Sequence, residues 1–175
     1  MILETDRLII RGIKESDLED YHEYSSQEGI GESAGWRHHT SIDMSKMSIY
    51  HKARSGIFQA IELKEENKVI GHISINDDSE DDRDDVKELG FVLNRNYHNR
   101  GIMTEAVLEM IDYLFSNGIN IIYACCSIDN LASKRLIEKC GFKFIKEGTY
   151  YSQDMDKHFN SLEYGYNVND WLNGK

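Results

Sequence analysis

The stretch His98-Asn99-Arg100-Gly101-Ile102-Met103-Thr104 joins a run of polar residues directly to an amphipathic helix pattern. A glycine at such a junction lets the backbone come close to a ligand or take a conformation that a Cβ disfavours. The first-turn amides of the helix that follows lack intrahelical acceptors and carry partial positive charge, so the junction is a place for an anion. Two phosphate-loop patterns are absent: GxxxxGK followed by Ser or Thr, and GxGxxG after an early strand. Taken alone, a glycine before a helix is also compatible with a plain turn.

The elements that must position this junction follow from the apolar pattern. "RLIIRGI" (7–13) reads as a strand, and Ser16 or Asp17 can cap a helix with Leu18, Tyr21 and Tyr24 at helical spacing. A second helix covers 43–53. "IFQAIEL", "KVIGHISI" and "KELGFVL" then read as three successive strands, an antiparallel meander. Between the last two lies "NDDSEDDRDD" (76–85), a solvated acidic loop without the glycine and terminal glutamate of a calcium loop. The helix after Gly101 carries Ile102, Ala106, Val107, Met110, Ile111, Leu114 and Phe115 as one stripe and ends near Gly118. "INIIYACCSI" is a buried strand. Asp129 or Asn130 then caps a helix with Leu136, Ile137 and Cys140 inward, stopped by Gly141. "FKFIKEGTYY" and "HFNSLEYGYNV" close the chain as strands, and the whole reads as one mixed α/β domain, 1–175.

Composition limits the partners. With 175 residues, 40% hydrophobic and 29% charged, the chain can bury a core. No apolar run approaches the roughly 20 residues of a membrane span, and the N-terminus lacks a signal-peptide pattern, so the expectation is a cytoplasmic protein without a membrane partner. A net charge of −11 argues against nucleic acid and fits a cationic or amine-bearing substrate. Cys125, Cys126 and Cys140 lack CxxC spacing and lie in apolar surroundings, which points to buried thiols and to no metal site. The sequence has no proline, which has no physical account here.

Read together, "ETDRLIIRGIKESDLEDYHEY", "GWRHHTS", "ELGFVLNRNYHNRGIMTEAVLEMIDYLF" and "SIDNLASKRLIEKCGFKFIKEG" resemble the GNAT superfamily of acyl-CoA-dependent N-acyltransferases, in order and over nearly the whole chain. The likeness is nearest to the RimJ/RimL-like branch, which acetylates ribosomal-protein N-termini. The resemblance implies a central mixed, mostly antiparallel sheet of about seven strands, flanked by helices and splayed at the cofactor strand. It implies acetyl-CoA as cosubstrate, no metal, and direct transfer to a primary amine.

The family pattern at the pyrophosphate loop is Gln or Arg, two free positions, Gly, one free position, then Gly or Ala. Here it falls on His98, Asn99, Arg100, Gly101, Ile102 and Met103; Gly101 matches, while His98 and Met103 depart. Thr104 completes the helix entrance. By the same resemblance pantetheine pairs along Phe91, Val92 and Leu93, and Asn130 bonds the cofactor arm or an ordered water. Ser133 takes the place of the acid that relatives supply as a tyrosine one helix turn later, a position held here by Ile137. Glu88 is the candidate base by family position, and His72 on the neighbouring strand is the second. Trp36, with Arg37, His38 and His39, matches the segment that lines the acceptor site. The acceptor implied is a protein N-terminal α-amine, whose pKa near ~8 makes it a better nucleophile at neutrality than a lysine at ~10.4. The alternatives are a small amine such as an aminoglycoside, polyamine or amino-acid derivative, or a non-catalytic acyl-CoA-binding module. A monomer or homodimer is expected.

Overall fold

Alternating apolar residues build eight strands: β1 (Ile2–Glu4), β2 (Leu8–Gly12), β3 (Phe58–Leu63), β4 (Lys68–Asp77), β5 (Val86–Leu93), β6 (Ile121–Ser127), β7 (Lys143–Ser152) and β8 (Lys157–Asn167). In the computed structural model, which describes residues 1–78 and 83–174, they form one open sheet in the order β1-β2-β3-β4-β5-β6-β8-β7. Every neighbouring pair is antiparallel except β5 and β6. The helices are α1 (Leu18–Ser25), α2 (Ile30–Ser33), α3 (Ile42–Ser55), α4 (Ile102–Ser116), α5 (Leu131–Lys139) and α6 (Val168–Asn173).

The apolar stripe read after Gly101 becomes the buried face of α4. Ile102, Met103, Ala106, Val107, Met110, Ile111, Leu114 and Phe115 pack with Leu89, Leu93, Ile122, Ala124 and Tyr164 of the sheet and Ile137 of α5. At roughly 1.5–3 kcal/mol for each large apolar side chain fully buried, this burial fixes where the helix begins relative to β5. On the other sheet face α1 and α3 place Tyr21, Tyr24 and Ile49 against Ala60, Val69 and Val92. That cover does not extend over the C-terminal strands.

The expected meander β3-β4-β5 is present, and Gly141 closes α5 at φ +98°. Ile137 and Cys140 are buried and Leu136 half-buried, while the cysteines are free thiols with Cys125 only half-buried. Four expectations change. The sheet has eight strands rather than about seven, because the three-residue β1 is too short to show a period. Asn76 and Asp77 extend β4 instead of opening the acidic loop, since Asn76 pairs with Glu88 and Asp77 with Lys87; residues 79–82 of that loop lie outside the described residues. Asp17 does not cap α1 with its side chain. Its carboxylate accepts from the Lys14 amide (2.8 Å) and from both terminal nitrogens of Arg11 (2.9 Å each), a stronger charged pairing. Val168 starts α6 rather than ending the last strand, because Asn167 caps that helix through the Asp170 amide.

Candidate active site

β5 and β6 pair only over Val86–Leu89 against Ile121–Ala124. Beyond that point β5 continues to Leu93 beside β4, and β6 continues to Ser127 beside β8, so a gap opens between two strands that remain paired on their outer sides. The Val92 carbonyl points toward Gly71 of β4 and the Asn94 amide bonds Ile70 there. Strand alternation therefore turns the polar backbone groups of Phe91 and Leu93 into the gap. The Leu93 carbonyl accepts from Nε2 of His98 at 2.9 Å, a side-chain contact the sequence did not announce.

On the α4 side of the gap lies a cleft of about 380 Å³. Phe91, Val92 and Leu93 line it from the strand, and His98, Asn99, Gly101, Ile102, Met103 and Thr104 from the loop and helix entrance. Asn99 and Gly101 both adopt left-handed backbone, at φ +60° and +73°. The two residues reverse the chain into α4 with no side-chain cap at its start, so its first-turn amides stay available to an anion. Arg7 braces this turn from outside through Glu105 (2.6 Å) and the Arg100 carbonyl (3.0 Å). Arg100 itself does not line the cleft; its guanidinium sits 5.2 Å from the Tyr97 ring centre.

Asn130 and Ser133 close the far side of the same cleft. The Asn130 Oδ1 accepts from the Ser133 amide (3.1 Å), which makes it the cap of α5, and its Nδ2 donates to the Ser33 carbonyl of α2 (3.3 Å). The Ser133 side chain is half-buried and its hydroxyl has no partner among the described residues. Ile137 is only 1% exposed and part of the core, so no tyrosine equivalent reaches the cleft from that turn. Arg135 and Lys139, one turn apart on α5, and Ile30 and Ser33 of α2 also line it. The cation pair was open to a helical-spacing argument; α2 was not.

Glu88 occupies the opposite sheet face with Gly90 and Val92, as alternation requires. A second cavity of about 490 Å³ lies there, lined by Asp78, Glu88, Tyr123, Cys125, Tyr150 and Glu163 among others. Burial, with Asp78 and Glu163 nearby, pushes the Glu88 carboxyl above its ordinary range. Burial also pushes the Cys125 thiol up to about 11, so it stays protonated near neutrality. His72 and Trp36 line neither cavity. His72 is 4% exposed, its Nδ1 lies 3.0 Å from the Tyr24 hydroxyl, and desolvation keeps the ring neutral. Trp36 lies against Gly31, whose missing Cβ would fall 2.5 Å from the indole.

A break in a sheet with an anion-ready helix entrance on one side and a raised carboxyl on the other suits transfer of a group carried on a phosphate-bearing thiol. Residues 7–143 match the family model described as "Acetyltransferase (GNAT) domain". The chain belongs to the GNAT acetyltransferases. It is an N-acetyltransferase that uses acetyl-CoA, and no cluster of His, Cys, Asp or Glu able to hold a metal occurs among the described residues. The chain is 31% identical to the "Uncharacterized N-acetyltransferase YoaA" of Bacillus subtilis over 153 residues, 84% of each chain. A GNAT-family acetyltransferase structure from Bacillus anthracis superposes with a TM-score of 0.85 at 22% identity, covering 97% of this chain and 99% of that one. The structure of RimL, a ribosomal L7/L12 alpha-N-protein acetyltransferase in complex with coenzyme A, superposes at 0.81 and 17% identity over 97% and 99%. The GNAT cosubstrate fits the cleft on physical grounds: an uncapped helix start suits a pyrophosphate, the Phe91 backbone and the Leu93 amide suit amide groups, and Arg135 and Lys139 suit further negative charge.

Proposed function

We propose that acetyl-CoA lies in the α4 cleft with its pyrophosphate on the Gly101 turn and its pantetheine arm along Phe91 and Leu93, and that a primary amine attacks the thioester from the Glu88 side. The observation that carries this reading is the loss of β5–β6 pairing after Leu89 and Ala124, with a cavity on each face of the sheet beside it. Glu88 accepts the ammonium proton, directly or through water, as its raised pKa allows. The amine nitrogen bonds the acetyl carbon, the thioester C–S bond breaks, the second proton on nitrogen passes to the departing sulfur to give the coenzyme A thiol, and the unpartnered Ser133 hydroxyl hydrogen-bonds that sulfur as it leaves. Asn130 holds the start of α5 and orients Ser133.

The acceptor in this reading is a protein N-terminal α-amine, and the enzyme is RimL-like. Its support is the greater availability of an α-amine near neutrality and the open cavity. A small polycationic amine is the second reading, favoured by the carboxylates of Asp78, Glu88 and Glu163 around that cavity. Thiol release from acetyl-CoA, followed by mass spectrometry across ribosomal-protein N-terminal peptides and a panel of small amines, separates the two. Acetylated peptide α-amines with inert polyamines are expected; the converse replaces the first reading by the second. Bound cofactor with no thiol release from any acceptor would overturn both in favour of a binding module.

A further inference from the structure

Asn94 follows the cofactor strand directly and is fully buried. Its amide donates to the Ile70 carbonyl at 2.8 Å, which holds the end of β5 against β4. Its Oδ1 accepts from the Gln27 side chain (2.9 Å) and from the Asn96 amide (3.0 Å), and its Nδ2 donates to Oε1 of Glu23 (2.8 Å). Three of the four side-chain hydrogen-bonding positions are thus filled, two by the end of α1 and the chain just after it and one by Asn94's own turn. Gln27 also accepts from the Arg95 amide (2.9 Å), and the Arg95 guanidinium reaches the Glu28 carbonyl. The chain between α1 and α2 is therefore tied to the turn that runs from β5 to Gly101. Just beyond that tie, Ile30 and Ser33 line the cofactor cleft, and Ser33 is tied to Asn130.

We propose that Asn94 is a positioning residue for acetyl-CoA: its carboxamide locks the phosphate-facing turn to the segment leading into α2, so that the floor and rim of the cleft are set before the cofactor arrives. The inference rests on the cofactor cleft assigned above. A site held in its bound geometry loses less ordering entropy on binding. Without the lock, binding must order both segments, so affinity falls. Once acetyl-CoA is seated, Glu88, Ser133 and the thioester stand as before, so turnover at saturation holds.

Asn94→Asp keeps the size and the acceptors for Gln27 and Asn96 but sets a carboxylate against Glu23. The expected result is an acetyl-CoA Kd, measured by calorimetry, raised about 10- to 100-fold, with kcat at saturation within about 3-fold of the parent. Glu23→Gln in the same chain returns an N–H donor to the pair. With the Glu23→Gln single variant as reference, the double variant recovers to within about 3-fold of that reference. Gln27→Leu cuts the tie from the other end and raises Kd about 3- to 10-fold, which keeps the proposal testable where Asn94→Asp does not fold. Unchanged Kd in a folded Asn94→Asp or in Gln27→Leu overturns it, as does a fall in kcat at unchanged Kd or a double variant that does not recover. Gly101→Glu distinguishes the two levels of failure. If it abolishes binding while Asn94→Asp does not weaken it, the cleft stands and the positioning role falls; if neither affects binding, the cleft itself is misplaced.

Discussion

Gly101 offers the sharpest test of the cofactor cleft, because backbone strain and charge can be separated at one position. It holds φ +73°, and a Cβ built on it would meet nothing nearer than Nη2 of Arg7 at 3.8 Å. Gly101→Ala therefore carries the left-handed penalty of about 1–2 kcal/mol with no clash. For a chain of this length each kcal/mol lowers Tm by about 2–4 °C. Gly101→Glu carries the same strain and adds a carboxylate at the start of α4, where the helix dipole holds it by about 0.3–1 kcal/mol. One phosphate charge about 5 Å from that carboxylate, at an effective dielectric near ~20, is repelled by about 3 kcal/mol, or about 100-fold in Kd. Calorimetric titration with acetyl-CoA should place Gly101→Ala within about 10-fold of the parent and Gly101→Glu at least about 100-fold weaker, at similar melting temperatures. A folded Gly101→Glu with parental affinity would refute the placement of the pyrophosphate.

The other expectations concern the transfer step. Glu88→Gln should lower turnover by about 10- to 1000-fold and flatten the acidic limb of the pH profile, a limb that lies above the ordinary carboxylate range in the parent because the carboxyl is raised; full activity with an unchanged profile would move the role to water or another group. The same raised pKa has a stability consequence: the folded state keeps the Glu88 proton to higher pH than the unfolded chain, so stability falls as pH rises from the unfolded value through the folded one. Glu88→Gln should thus gain in Tm over the parent at pH 7.5 relative to pH 4, and equal differences at both pH values would remove burial as the cause. Ser133→Ala should lower turnover about 10- to 100-fold with the acetyl-CoA Kd nearly unchanged, since a thiol of pKa ~8.5 needs little help in leaving; a weaker Kd with normal turnover would make the serine a binding residue.

What the sequence made legible divides along the same line as the two cavities. The α4 entrance could be read because its chemistry is local: Gly101, the polar run before it and the apolar stripe after it are contiguous; Asn130 could be read in the same way as the cap of α5, while Ser133 is what the family resemblance implies. The segment between α1 and α3 could not. The four residues of α2 are too few for a helical period, and what shapes them is Gly29 at φ +88° together with the indole of Trp36 seated on Gly31. Trp36, which the family resemblance puts at the acceptor site, packs on Gly31 and lines neither cavity. The ties that put this segment beside the α4 cleft span 67 residues from Gln27 to Asn94 and 97 from Ser33 to Asn130, beyond the reach of any periodicity.

The Glu88 cavity is non-local in a different way. Glu88 comes from the family position and shares its face with Gly90 and Val92 by strand alternation, but its neighbours there come from three other strands. Tyr123 stands opposite Glu88 in the parallel pair, Glu163 opposite Cys125, and Lys146 opposite Glu163. They meet only because β8 inserts between β6 and β7. Along the chain Glu88, Tyr123, Lys146 and Glu163 are separate; the strand order makes them one wall. Burial first, then the charges of Asp78 and Glu163, raises the Glu88 carboxyl, so its altered acidity belongs to the sheet order as much as to the residue.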